Sequence, residues 1–188
     1  MKKLSQWSMP LAAVLALTSY APAQQRQPEG QGDPNHLVQM VRNATERYQN
    51  VPPAGYEAAL GCVSGPDHGA MGVHYVNGNL LNGATLLSNG QLDPTRPQAL
   101  IYEPQANGEM KLVAVEFIVF AGALPPGSAP EVDGHLMQYI DGPSNTRPDA
   151  PPNRYGLPGF FELHVWAWKD NPQGSFVDWN NHVSCALQ

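Results

Sequence analysis

The sequence predicts a mainly β, α+β domain: a small antiparallel barrel or sandwich with one N-terminal helix and one disulfide. Three observations carry that prediction. First, 19 Pro and 18 Gly among 188 residues punctuate the chain and favour short strands over long helices. Second, β-branched and aromatic residues concentrate in runs of strand length, while helical periodicity is clear in one early stretch alone. Third, there are two cysteines, Cys62 and Cys185, near the two ends of the β-rich part.

Met-Lys-Lys, an apolar run from Met9 to Leu17 and then Ala21-Pro22-Ala23 follow the pattern of a secretory signal with a small-residue cleavage site. Residues 1–23 are therefore set apart from the fold, and the mature chain is expected to be secreted or periplasmic. No later stretch reaches the roughly 18 uninterrupted apolar residues of a membrane span. Removing Lys2 and Lys3 takes the formal charge from −6 to −8. With no basic cluster, neither nucleic acid nor an anionic membrane surface is an expected partner. In an oxidising compartment Cys62 and Cys185 are expected to form a disulfide, closing a long loop and tying down the C-terminus; the alternative is a metal-binding thiolate pair.

Residues 24–35, rich in Gln, Gly, Pro and Asp, have no apolar periodicity and read as a disordered lead-in to a single domain over 36–188. Leu37, Val38, Val41, Ala44 and Tyr48 recur at helical spacing, with Asn35 as cap and Pro52-Pro53 as stop, so a helix is predicted over 36–50. Its polar face, Arg42, Glu46 and Arg47, reads as solvated surface. Residues 56–63 form either a short helix or an irregular turn.

A Gly-rich loop leads into a strand over 71–76, and Asn-Gly pairs with Asp93-Pro94 and Arg96-Pro97 keep 77–98 irregular. Strands 99–103 and 110–121 flank Asn107-Gly108 and are predicted to pair as an antiparallel hairpin. Both faces of the longer strand are apolar, with Leu112, Ala114, Ile118 and Phe120 on one side and Val113, Val115, Phe117 and Val119 on the other. Such a strand is covered on both sides. The Pro-rich stretch 122–159 shows little periodicity apart from 136–140, and a loop of that length suggests a lid or an oligomer contact. A last strand over 160–168, a turn at 171–174 and a tail with Phe176, Trp179 and Val183 complete the domain.

With a period of two, Phe160, Glu162, His164, Trp166 and Trp168 share one face of the last strand, and Phe161, Leu163, Val165 and Ala167 the other. Glu116 lies in the middle of an otherwise buried strand, where an ionised carboxylate must take a proton, pair with a cation or bind a metal. His74 shares a face with Gly72 and Val76. Two imidazoles and a carboxylate on three strands are the ligand set of a divalent transition metal such as zinc, iron, manganese or copper. His74, Glu116 and His164 are therefore the candidate metal ligands. Glu162 is a fourth ligand, a partner that fixes the imidazole tautomer, or a general base acting on metal-bound water, and in the last role it is the candidate catalytic residue.

The bland reading of each residue stands beside this one. Glu116 is satisfied by backbone or by Arg154, His74 is a satisfied core histidine, and His164 bonds Glu162 or Tyr75. His68, on a loop before His74, either closes the site or is exposed; His36, His135 and His182 read as exposed. Trp166, Trp168 and Trp179 line an apolar ligand pocket or serve as core. No Gly-x-Ser-x-Gly elbow, His-Glu-x-x-His helix or phosphate loop occurs. Asp67 and Asp141 have no setting that marks them for acid–base work.

The blocks Gly-Ala-Met-Gly-Val-His-Tyr-Val, Ala-Leu-Ile-Tyr-Glu-Pro, Leu-Val-Ala-Val-Glu-Phe, Phe-Glu-Leu-His-Val-Trp-Ala-Trp, Asn-Pro-x-Gly-x-Phe and Val-Ser-Cys resemble a group of small exported bacterial proteins. The order of the first four is similar to the TTHB210-like family of secreted or envelope domains. The resemblance spans 60–188 and implies a His and a Glu at positions matching His74, Glu116 and His164. It implies no reaction, so no catalytic residue comes with it. Two functions are expected on these grounds. One is a metal-binding β-barrel of cupin-like ligand placement acting on a small-molecule ligand. The other is a non-catalytic envelope or secreted interaction protein that forms a homo-oligomer through 122–159.

Overall fold

The computed structural model describes residues 34–188 apart from 66, 144–146 and 154. The predicted signal segment 1–23, the lead-in as far as residue 33, and Arg154 lie outside the described residues. Helix α1 spans Pro34–Thr45 and continues as a 3-10 turn over Glu46–Tyr48. It starts before Asn35, so Asn35 stands within the first turn and is not its cap. Leu37 and Val41 on its inner face are fully buried. Arg42 is not mere solvated surface, since its Nε donates to the Ala167 carbonyl and its guanidinium lies 6.0 Å from the Trp168 ring centroid.

The strands are β1 (Glu57–Ala58), β2 (Val63–Gly65), β3 (Gly69–Val76), β4 (Ala99–Pro104), β5 (Met110–Phe120), β6 (Glu131–Val132), β7 (His135–Leu136), β8 (Gln138–Ile140) and β9 (Phe160–Val165). The main sheet runs β1-β3-β4-β5-β9-β8, every pairing antiparallel, with β2 also on the outer edge of β3. The stretch 56–63 is thus an irregular turn carrying β1. The β4–β5 hairpin turns at Gly108, whose φ of 79° suits glycine.

The sheet does not close. Its two edges, β1 with β2 and β8, are two or three residues long and do not pair with each other, so the barrel expectation gives way to a sandwich-like arrangement. On one face lie α1 and the β6–β7 ribbon, burying Leu37, Val41, Leu92, Val132 and Met137 against Leu100, Val115, Phe117, Val119, Leu163 and Val165. We call this the helix side. On the loop side, connections from 76–81 and 155–160 pack on Ala99, Ile118 and Phe160, while the C-terminal tail brings Val183 and Cys185 onto Ala70, Ile101, Ala114 and Trp166.

Two face assignments differ from the sequence expectation. The β4–β5 register shifts between Ile101 and Tyr102, opposite Leu112 and Ala114. The extra residue inverts the alternation, so Leu112 joins the helix-side core and Val113 the loop side. Regular pairing of β9 ends at Val165, after which Trp168 N and Lys169 N both donate to the Val113 carbonyl. Trp168 therefore turns to the helix side, where its Nε1 donates to Thr45 Oγ1 at 3.0 Å.

The long connection 122–159 has structure of its own. Val132 pairs with His135 across Asp133-Gly134, both at positive φ (48° and 78°), the geometry of a two-residue hairpin loop. At the other end of the chain, Cys62 and Cys185 are disulfide-bonded across 123 residues, a closure worth about 4–5 kcal/mol in the chain-entropy account. The tail is further held by Ser184 N on Glu103 Oε1 at 3.0 Å and by Lys169 Nζ on Glu103 Oε2 at 2.6 Å. Gly69 makes this seat possible: with φ of 84°, a Cβ there would stand 2.2 Å from the Asn180 carbonyl oxygen.

Candidate metal centre

Pairing register brings the polar residues together on the loop side. Glu116 of β5 stands opposite His164 of β9 on one flank and Ala99 of β4 on the other, and His74 of β3 stands opposite Ile101. His74 and Glu116 are thus separated by the whole of β4, two strand spacings or roughly 10 Å of backbone. Ala99, directly opposite Glu116, carries a single methyl group and packs with Ile118 and Phe160. His74 Nε2 lies 3.5 Å from Glu116 Oε2, and the two imidazole rings stand edge to face with centroids 5.9 Å apart. One donor atom from each of His74, Glu116 and His164 lies within 4.8 Å of the others.

The four residues are nearly sealed from solvent, at 6 % exposure for His74, 4 % for Glu116, 3 % for Glu162 and 2 % for His164. Nδ1 of His74 and both ring nitrogens of His164 are buried without a hydrogen-bond partner. Unpaired buried polar atoms are costly, about 1–3 kcal/mol each. Burial lowers the His74 pKa, the Glu116 carboxylate opposing and His164 adding to the shift. For His164 burial also works downward, but the Glu116 carboxylate, the Asp178 carboxylate facing Nδ1 and the charge of Glu162 outweigh it and push the imidazole up to about 9. Glu162 is pushed up to about 8 by burial and then by Glu116.

These groups form the polar end of a cavity of about 250 Å³ whose remaining wall is apolar, including Met71, Leu81, Ile118, Phe120, Leu157 and Phe160. Tyr155 and Leu157, from the Pro-rich connection, help cover it. The bland partners fare differently. Tyr75 packs edge-to-face on Tyr102 at 5.3 Å and belongs to the helix-side core, so it does not bond His164. Trp166 is core and donates to the Val177 carbonyl, Trp168 faces α1, and Trp179 lies against Gly65; none of them lines this cavity.

Of the other histidines, His68, His36 and His182 are exposed, with His36 Nδ1 2.7 Å from Asp133 and His182 4.0 Å from Asp170. His135, expected at the surface, is half-buried, its ring centroid 4.4 Å from that of Phe176. Asp67 is exposed and Asp141 is paired with Arg147 at 2.7 Å. The disulfide leaves no free cysteine, which removes the thiolate alternative.

Sequence reasoning missed Asp178. Its Oδ1 lies 3.6 Å from His164 Nδ1, and Glu162, His164 and Asp178 also place donor atoms within 4.8 Å of one another. No local signal marks it, because it comes from an irregular tail segment with no strand period.

Fold and site together define an open antiparallel domain with one helix-covered face and a buried His/Glu-lined cavity beneath the other. Comparison with protein-family models, curated proteins and solved structures finds no match.

Proposed function

We propose that this is an exported metal-binding domain that holds a divalent transition-metal ion, zinc, iron, manganese or copper, through His74, Glu116 and His164. The cavity beside the ion takes a small, largely apolar molecule. One observation carries the reading: donors from three separate strands converge within 4.8 Å while their buried imidazole nitrogens lack hydrogen-bond partners. The 3.5 Å between His74 Nε2 and Glu116 Oε2 is long for a hydrogen bond. It fits two ligands of one ion, since bonds of about 2.1 Å at the tetrahedral angle separate their ends by about 3.4 Å.

Glu162 lines the same cavity and is the candidate general base. A dication held beside it would favour its ionised form, and Glu162 would then be the group placed to accept a proton from water or substrate. Export is supported by the N-terminal signal pattern and by the disulfide, and among the described residues no helix is long and apolar enough to cross a membrane.

A second reading, a homo-oligomerising envelope or secreted protein, draws on the sheet edge. Strand β8 has one neighbour, and Leu136 (60 % exposed) and Tyr139 (41 %) stand at the surface there. Light scattering on wild type and Leu136→Glu tests it, a monomer in both being the result against it.

The deciding measurement for the metal reading is elemental analysis of tag-free protein after reconstitution, with His74→Ala and His164→Ala alongside. Bound metal in wild type, with loss of the inner equivalent in each folded variant, is expected. A wild type that stays metal-free refutes the reading.

A further inference from the structure

This inference rests on the metal reading above and concerns the opposite edge of the same imidazole. Glu162 and His164 form a partition between two cavities: the inner one already described and an outer one of about 450 Å³, lined also by His135, Gln138, Phe176 and Asp178. On the outer side His164 Nδ1 faces Asp178 Oδ1 at 3.6 Å, again beyond hydrogen-bond length and close to the roughly 3.4 Å edge of a tetrahedral metal site. Glu162, His164 and Asp178 each place a donor atom within 4.8 Å of the other two. Two acidic residues alone would carry no argument. Here they flank an imidazole whose side chain is 1 % exposed, with neither ring nitrogen in a hydrogen bond.

We infer that Glu162, His164 and Asp178 form a second divalent-cation site that shares His164 with the first, each ring nitrogen taking one ion. Neutral imidazole offers one lone pair and one N–H. The first ion takes the lone pair; the second takes the electron pair left when the N–H proton departs to solvent, so the bridge is an imidazolate and one proton is released. The outer ion is the exchangeable one, because the Asp178 side chain is 26 % exposed whereas those of His74 and Glu116 are 8 % and 6 % exposed. One imidazole nitrogen with two carboxylates suits zinc, copper(II) or manganese.

Copper(II) titration of the full metal-free protein, followed by equilibrium dialysis and electron paramagnetic resonance, tests the site. Wild type is expected to bind two equivalents, with an integrated spin well below its copper content because the imidazolate couples the two ions. Asp178→Asn is expected to keep one equivalent with an uncoupled signal, and His74→Ala to lose the inner one. One equivalent in wild type, unchanged in Asp178→Asn, overturns the outer site and leaves the inner reading standing, with Asp178 only orienting His164. Two equivalents with full, uncoupled spin overturn the shared bridge. No bound copper removes both readings. If Asp178→Asn does not fold, wild-type stoichiometry and coupling decide among the same outcomes.

Discussion

The two faces of the central sheet are built from alternate residues of the same strands, yet they are different materials. On the helix side Val115, Phe117 and Val119 meet Leu37 and Val41 with Leu163 and Val165, and the lining is almost wholly apolar, with Tyr102 OH donating to the Tyr48 carbonyl at 2.7 Å. On the loop side Glu116, between two of those apolar residues, meets His74, Glu162 and His164 around a cavity. One face therefore carries stability, and the other gives some up by burying groups whose charged forms are poorly solvated. A strand's period of two lets a protein do both within one element.

Breaking the stabilising face should have the largest effect. Phe117→Ala removes a fully buried ring and is expected to cost about 3–5 kcal/mol, read as a large fall in the urea midpoint.

Next comes pH, which between 6.5 and 9 acts on the buried groups of the loop side. Glu162 and His164 have folded pKa values raised to about 8 and about 9, so between pH 6.5 and 9 the folded chain binds more protons than the unfolded one. Metal-free protein should lose stability over that window, by on the order of a few kcal/mol. His74 is shifted the other way; its contribution is lost as pH falls below its ordinary range, and it is neutral in both states above that. Thermal melts at pH 6.5 and 9 check this, and a stability that rises toward pH 9 contradicts it. Since metal binding displaces protons, added metal should raise Tm more at pH 8 than at pH 6.

Ala99→Val sharpens the comparison further, because it adds bulk on β4 directly opposite Glu116. The expected cost is about 1–3 kcal/mol for overpacking, with metal affinity falling at least about tenfold. Metal binding unchanged in this variant would show that the position of Glu116 does not depend on the small residue beside it.

The smallest stability effect belongs to Glu116→Gln. In metal-free protein it relieves the repulsion that raises Glu162 and removes the attraction that raises His164; the two oppose each other, so the net change should be on the order of 1 kcal/mol. Metal binding should nonetheless be lost. A cost like that of Phe117→Ala would instead mark Glu116 as a structural partner.

Much of this was legible along the chain. The hairpin 99–104/110–120 was announced by Asn107-Gly108 between two apolar runs, and Glu116 stood out as a charge amid a strand that was otherwise apolar. The hairpin at 131–136 carried the same kind of signal in Asp133-Gly134, but its strands of two residues are too short for alternation to be seen. The exchange of Leu112 and Val113 between faces follows from one register shift, which no pattern in a single strand reports.

The amino-acid sequence by itself determined where the main strands begin and which face of each holds its titratable groups, because propensity, turn geometry and alternation act over a few residues. Tertiary structure alone decided that the sheet stays open, that His74 comes within 3.5 Å of Glu116 from across β4, and that Asp178 arrives behind His164. Those outcomes depend on strand order and on the packing of segments tens of residues apart, where the stabilising contacts are non-local and leave no periodic trace.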